Sequence, residues 1–95
     1  MLRFEWDSAK SSTNKKKHGI SFEEAKTVFL DPNARTIGDP DHSDEEDRFV
    51  IMGLSENLRV LVVCHCYRKG DSIIRIISAR KAQKHEREIY KEHLS

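Results

Sequence analysis

Two arginines, Arg75 and Arg80, sit in the apolar run Ile73-Ile74-Arg75-Ile76-Ile77-Ser78-Ala79-Arg80, which passes directly into the basic segment from Lys81 to Tyr90. An arginine in a strand that could otherwise be buried is costly unless its guanidinium meets an anion. Phosphate fits, because two of its oxygens match the guanidinium fork. Metal-free RNA cleavage needs few further parts. A base takes the proton of the 2′-hydroxyl, cations hold the charge building on the phosphate, and an acid protonates the leaving 5′-oxygen. The acid–base candidates are His18, His42, His65, His85 and His93. His18 ends a run of three lysines, and His42 lies among acidic residues. His65 falls in the middle of an apolar strand, where a packed histidine is expected, and His85 and His93 fall on a polar helix. None shows the spacing of a zinc-binding helix. Cys64 and Cys66 share one face of a strand, where a bridge between them would be badly strained. No second Cys pair completes a metal set. They read as reduced core residues, with neither metal nor cofactor expected.

The 95 residues suffice for one domain, spanning 1–95, with one sheet and a few helices. Apolar content of 37% and charged content of 35% mean that much of the surface is charged, and that a partner could cover part of it. No apolar run reaches membrane-spanning length and no signal peptide is evident, so a cytoplasmic location away from membranes is expected. The net charge of +1 conceals a strong asymmetry. Residues 31–47 carry seven acidic side chains against Arg35 alone, whereas residues 68–95 carry eight basic side chains against four acidic ones. A basic body with an acidic loop suits nucleic-acid contact, although the loop could equally neutralise the body in place.

The elements that must position these residues follow from local pattern. Leu2-Arg3-Phe4-Glu5-Trp6 alternates as a half-buried edge strand. Asp7 can cap a short polar helix through Lys17, and Gly19 can stop it. Ser21-Phe22-Glu23-Glu24 is a capping box. Phe22, Ala25, Val28 and Phe29 then make an apolar stripe that Asp31-Pro32 ends. After the acidic connection, with a short strand at 34–37, strands are expected at 48–54, 58–67 and 72–79, and a last helix at 80–93. That helix has a poor stripe (Ala82, Ile89, Tyr90, Leu94), which suggests a protein interface.

A two-residue turn at Lys69-Gly70 would place Arg59 opposite Arg80, Leu61 opposite Ser78, His65 opposite Ile74 and Tyr67 opposite Ser72. That face gathers Arg59, His65, Tyr67, Ser78 and Arg80. The other face, with Val60, Val62, Cys64, Cys66, Ile73, Ile77 and Ala79, is the expected core. Arg59 and Arg80 side by side repel unless an anion lies between them. A one-residue bulge would dissolve the pair. Arg75 falls on the core side, opposite Cys64. There it could pack its stem and reach a carboxylate such as Glu5 or Glu46, or it could serve a phosphate.

Phe4-Glu5-Trp6-Asp7-x-x-Lys10-x-x-x-Asn14-x-x-Lys17-His18-Gly19-Ile20-Ser21-Phe22-Glu23-x-Ala25 resembles the opening of the BrnT toxins. So do Asp31-Pro32, His42-Ser43-x-x-Glu46-x-Arg48, Gly53-x-Ser55, and Arg75-Ile76-Ile77-Ser78-Ala79-Arg80-Lys81-Ala82 with Glu86 and Tyr90, in order along nearly the whole chain. The resemblance implies an α+β, RelE-like fold: a small antiparallel sheet, two N-terminal helices and one C-terminal helix. It implies a ribonuclease toxin of a type II toxin–antitoxin pair that halts growth by cutting RNA and inhibiting translation. Its partner would be a BrnA-type antitoxin with a DNA-binding domain, in a hetero-oligomer that reaches operator DNA only through the antitoxin. RelE-like toxins often use an Arg near the last strand and a Tyr near the C-terminus, which makes Arg80 and Tyr90 catalytic candidates. Arg59 joins them from the register, and His18 as an acid–base candidate. Lys17, Lys81, Lys84 and Arg75 are the candidates for holding the RNA backbone. The alternatives are a non-catalytic nucleic-acid-binding module and a corepressor acting with the antitoxin.

Overall fold

The computed structural model describes residues 2–37, 48–70 and 72–94. In chain order these form β1 (Arg3–Glu5), α1 (Ser8–His18), α2 (Phe22–Lys26) continued by a 3-10 turn (Thr27–Leu30), β2 (Arg35–Ile37), β3 (Arg48–Leu54), β4 (Val60–Arg68), β5 (Ile73–Lys81) and α3 (Lys84–Leu94). The strands make one sheet in the order β1-β5-β4-β3-β2. β2 to β5 pair antiparallel, but β1 lies parallel to β5, so the sheet is mixed rather than wholly antiparallel. The chain leaves β1 through α1 and α2, and β5 returns beside β1 in the same direction. Residues 38–47, with His42 and Glu46, fall outside the described residues.

The helices start where their caps dictate. Asp7 Oδ1 accepts from the amides of Ala9 at 2.8 Å and Lys10 at 3.1 Å, and Gly19 closes α1 with φ 75°, its amide donating to Lys15 O. The Ser21 hydroxyl accepts from Glu24 N at 3.1 Å. The reciprocal half of the capping box does not form, because the Glu24 carboxylate turns inward to Arg59 and Ser55. Phe22, Ala25 and Val28 pack with Ile20 on Leu61, Val63, Ile76 and Ala79, and Phe4, Trp6 and Phe29 fill the margin. α1 contributes no apolar anchor. Its one buried side chain is Asn14.

The opposite face of the sheet packs Val50, Met52 and Val62 against Ala82 and Tyr90. The β4–β5 register corrects the expectation from sequence in two steps. The loop spans four residues, 69–72, with Gly70 at φ 61°, so Arg68 pairs with Ile73 and His65 with Ile76. A bulge at Ile77 then shifts the ladder by one residue, pairing Cys64 with Ser78, Val63 with Ala79 and Val62 with Arg80. A one-residue slip exchanges faces. Ala79 therefore enters the α1/α2 core, while Arg80 emerges on the α3 side. The pairing of Arg59 with Arg80 does not exist, and Leu61 and His65, placed on the mixed face, are core residues.

Gly53 is a point of close approach. A Cβ there would stand 2.8 Å from Ala34 Cβ and 2.9 Å from Val28 Cγ1. Neither neighbour is a flexible chain end. Gly53→Ala is expected to destabilise the fold by about 1–3 kcal/mol through overpacking, measured by urea unfolding. An unchanged midpoint would mean that the 3-10 turn is not held against β3.

Candidate nucleic-acid interface

The face of the sheet away from α1 and α2 takes an arginine from every strand. The pairings put Arg3 (β1), Arg35 (β2), Arg48 (β3), Arg68 (β4), and Arg75 and Arg80 (β5) on that one side. Arg3, Arg35, Arg48 and Arg68 are exposed, and Arg75 and Arg80 are half-buried. Cys64 and Cys66 form no disulfide with each other and are half-buried on the open face rather than in the core. Cys66 pairs with Arg48 on one side and Arg75 on the other.

Arg75 and Arg80 are held by carboxylates of the described residues. Arg75 Nη1 donates to Glu5 Oε2 at 2.8 Å across the β1–β5 pair, one of the two roles the sequence leaves open for it. Arg80 makes a fork on Glu86, Nη1 to Oε1 at 2.8 Å and Nη2 to Oε2 at 3.0 Å. Glu86 also accepts from Gln83 N at 2.7 Å, so the α3 N-terminus and Arg80 share one carboxylate. The Arg80 bond, with the Gln83 amide, holds Glu86 below its usual range against the opposing effect of burial. The Arg80 side chain remains 41% exposed, and its Nη1 also donates to Lys81 O at 3.2 Å.

Arg59 does not reach this face. Its Nε and Nη2 donate to the buried Glu24 at 2.7 and 2.6 Å, Nη2 also reaches Gly19 O, and the Ser55 hydroxyl donates to the same carboxylate at 2.7 Å. Tyr90 is buried, and its hydroxyl donates to Asp31 Oδ2 at 2.5 Å. Burial and that bond push the phenol up to about 12. Asp31 accepts from Leu54 N and Asn33 N as well, and these bonds outweigh burial to hold its carboxyl below the ordinary value. Tyr90 thus ties α3 to the edge of β3, and Arg59 ties β4 to α2.

The other candidates separate. Lys17 and His18 line a groove between α1 and β5 together with Ile77 and Ser78. Lys81 and Lys84 are exposed where β5 hands over to α3. His65 is buried, with Phe29, Phe49 and Tyr67 around its ring, and burial lowers its pKa. It is a neutral core residue, as its place in the strand implies. His85 and His93 are exposed on α3. Among the described residues, no three His, Cys, Asp or Glu side chains gather as a metal site. Sequence reasoning missed Arg3, Arg35, Arg48 and Arg68. Their alternation within strands was visible, but only the strand order brings them to one surface.

The model of the family described as "Ribonuclease toxin, BrnT, of type II toxin-antitoxin system" matches residues 6–86. Among solved structures, the crystal structure of the Brucella abortus ribonuclease toxin BrnT superposes with a TM-score of 0.66 at 23% identity. The match covers 88% of this chain and 100% of that one, and at this identity the likeness speaks for the fold alone. Among curated proteins no relative matches the sequence.

Glu24 sets a pH limit on the fold. The bond from Arg59 lowers its pKa from 4.5 to about 2, against the cost of burial. A carboxylate depressed in the folded state contributes stability above its unfolded pKa and loses it as pH falls through the folded one. With partial screening of Arg59, about 2–3 kcal/mol should be lost between roughly pH 5 and pH 2. In Glu24→Gln, urea unfolding should show a shallower loss over that window. An unchanged slope would assign the acid sensitivity elsewhere.

Proposed function

The chain belongs to the BrnT family of ribonuclease toxins of type II toxin–antitoxin systems, and from that premise we propose that it cuts RNA internally, without a metal, on the arginine-bearing face of its sheet. The observation that carries this reading is the convergence of six arginines, at least one from each strand, on that single face. Guanidinium forks on a rigid sheet can hold phosphate oxygens in fixed positions and supply the charge stabilisation that the reaction requires.

In the proposed reaction the 2′-oxygen of the substrate attacks the adjacent phosphorus while its proton passes to a general base. The bond from phosphorus to the 5′-oxygen breaks, and that oxygen takes a proton from a general acid. The products are a 2′,3′-cyclic phosphate and a 5′-hydroxyl. Arg80 is the side chain assigned to the phosphate. It is exposed in part, lies in the open face, and is aimed by Glu86. Lys84 extends the cationic surface onto α3, Arg75 lies further along β5, and Lys81, paired with Leu61, offers its charge from the opposite side of the strand end. His18 is the acid–base candidate at the margin of this surface, in the groove that also holds Ser78. Arg59 and Tyr90 are read as positioning residues, since their polar atoms are turned to Glu24 and Asp31.

A type II system implies an antitoxin, and a BrnA-type partner with its own DNA-binding domain is the proposed one. Ile89 and Leu94, 44% and 49% exposed on α3, offer the apolar surface that such a partner would cover. Operator binding through that partner, arrest of translation in the cytoplasm and a hetero-oligomeric resting state complete the proposal. A second reading, phosphate binding without cleavage, rests on the same arginines and is separated by the assay below.

With single-stranded RNA, cleavage is expected to persist in EDTA and to fail when the residue 5′ to the scissile phosphate is 2′-deoxy. Salt-dependent binding with no cleavage would leave only the binding module. Arg80→Ala should lower the cleavage rate by about 100-fold or more with the far-ultraviolet spectrum unchanged. Glu86→Gln, which keeps the guanidinium but weakens its aim, should lower the rate by less than Arg80→Ala does. Equal loss in both variants would mean that the ion pair only holds α3. Tyr90→Phe should cost about 1 kcal/mol of stability and keep the rate within a few-fold. A loss as large as that of Arg80→Ala would restore the phenol as a catalytic group.

A further inference from the structure

A groove of about 390 Å3 runs between α1 and the bulged part of β5. Lys10, Thr13 and Lys17 line it from the helix, and Ile77 and Ser78 from the strand. Lys10 and Lys17 are seven residues apart, so they lie on one stripe of α1 about two turns, roughly 10 Å, from each other. Both are exposed, and neither has a carboxylate within ion-pair distance among the described residues. Asp7, the nearest acidic lining residue, spends Oδ1 on the amides of Ala9 and Lys10.

Helix electrostatics do not explain this arrangement. The basic last turn of α1 suits the helix dipole, but Lys10 sits in the first turn, where a cation is disfavoured by about 0.3–1 kcal/mol. Nor does packing, since α1 buries only Asn14. On the opposite wall, the bulge leaves Ile77 half-buried and Ser78 exposed. The groove therefore combines two separated ammonium groups, a small apolar floor and hydroxyls, the chemistry of phosphates joined by sugar and base. It also adjoins the arginine face. β1 covers only Ile73 to Arg75 of β5, and Ser78 both pairs with Cys64 and lines the groove.

We propose that this groove is a nucleotide subsite, taking the stretch of an RNA strand that continues past the edge of β5. Lys10 and Lys17 hold two different phosphates, Ile77 packs a base or ribose, and the hydroxyls of Thr13 and Ser78 meet polar edges of the nucleotide. The choice of RNA as ligand rests on the ribonuclease reading above, while the nucleotide chemistry rests on the groove itself.

The purified chain titrated with 5′-AMP, with inorganic phosphate as control, should show amide shifts in α1 and at Ile77 and Ser78 that phosphate alone reproduces only weakly. Those shifts should vanish in the Lys10→Gln/Lys17→Gln double variant. With a 2′-O-methylated oligoribonucleotide, which cannot be cleaved, that variant should bind at least about tenfold more weakly. Its salt slope should fall by about 1.4, at about 0.7 for each lost phosphate contact. Shifts confined to the arginine face, or an unchanged affinity and slope, would overturn the subsite and leave the ribonuclease reading standing. Groove shifts with AMP in a chain that cleaves no RNA would support the subsite and count against the ribonuclease reading.

Discussion

The carboxamide of Asn14 takes the place of a strand. β1 is too short to accompany β5 beyond Arg75, so the backbone of β5 above that point lacks a neighbour on its outer side. Asn14 Nδ2 donates to Ala79 O at 2.8 Å and to Ile20 O at 2.8 Å, and its Oδ1 accepts from Ala79 N at 3.2 Å. One buried side chain thereby satisfies both polar groups of an edge residue and binds the end of α1 to the start of α2. Buried backbone groups without partners would be expensive here, and an open edge would invite pairing with another chain. Ala79, held by Asn14, follows the bulge at Ile77 by two residues. The bulge decides which face receives Arg80.

Two ties centred on carboxylates, one an ion pair and one a set of hydrogen bonds, hold the layers around that strand. Glu24 gathers Arg59 and Ser55 where β4 meets α2, and Asp31 gathers the amides of Leu54 and Asn33 and the Tyr90 hydroxyl where β3 meets α3. A buried ion pair adds little net stability compared with well-packed apolar groups, but removing one partner is costly because the other is left unsatisfied. Such ties specify arrangement. Here they orient α2 on one face and α3 on the other, so that α3 covers Val50, Met52 and Val62 while the arginines beyond them stay accessible.

Much of the fold was legible locally. Asp7, Gly19 and Ser21 mark helix ends because capping is a property of a few adjacent residues. The strands declare themselves through their apolar content. The faces were not legible, because parity along β5 depends on a four-residue loop and a bulge that no residue type announces. Arg59 and Tyr90 read as chemistry because arginine and tyrosine are versatile. Glu24 read as half of a capping box, and nothing in sequence separation links it to Arg59, 35 residues away. The last helix begins at Lys84 rather than Arg80 because Arg80 and Lys81 still pair with β4, and the Ala82 amide still donates to Val60 O.

The two kinds of cation divide along the same structural line. The sheet carries arginines, whose planar forks are already oriented, and two of them are further fixed by Glu5 and Glu86. α1 carries lysines, which are compact charges on flexible stems. A guanidinium held by a carboxylate on a paired strand suits a reacting phosphate, where position decides rate. A mobile ammonium suits a backbone phosphate, where charge matters and geometry can vary. A net charge of +1 is compatible with both tasks because charge acts through its distribution. Ile77 and Ser78 sit where the two surfaces meet, so the bulge that carries Arg80 to the open face also opens the groove beside α1.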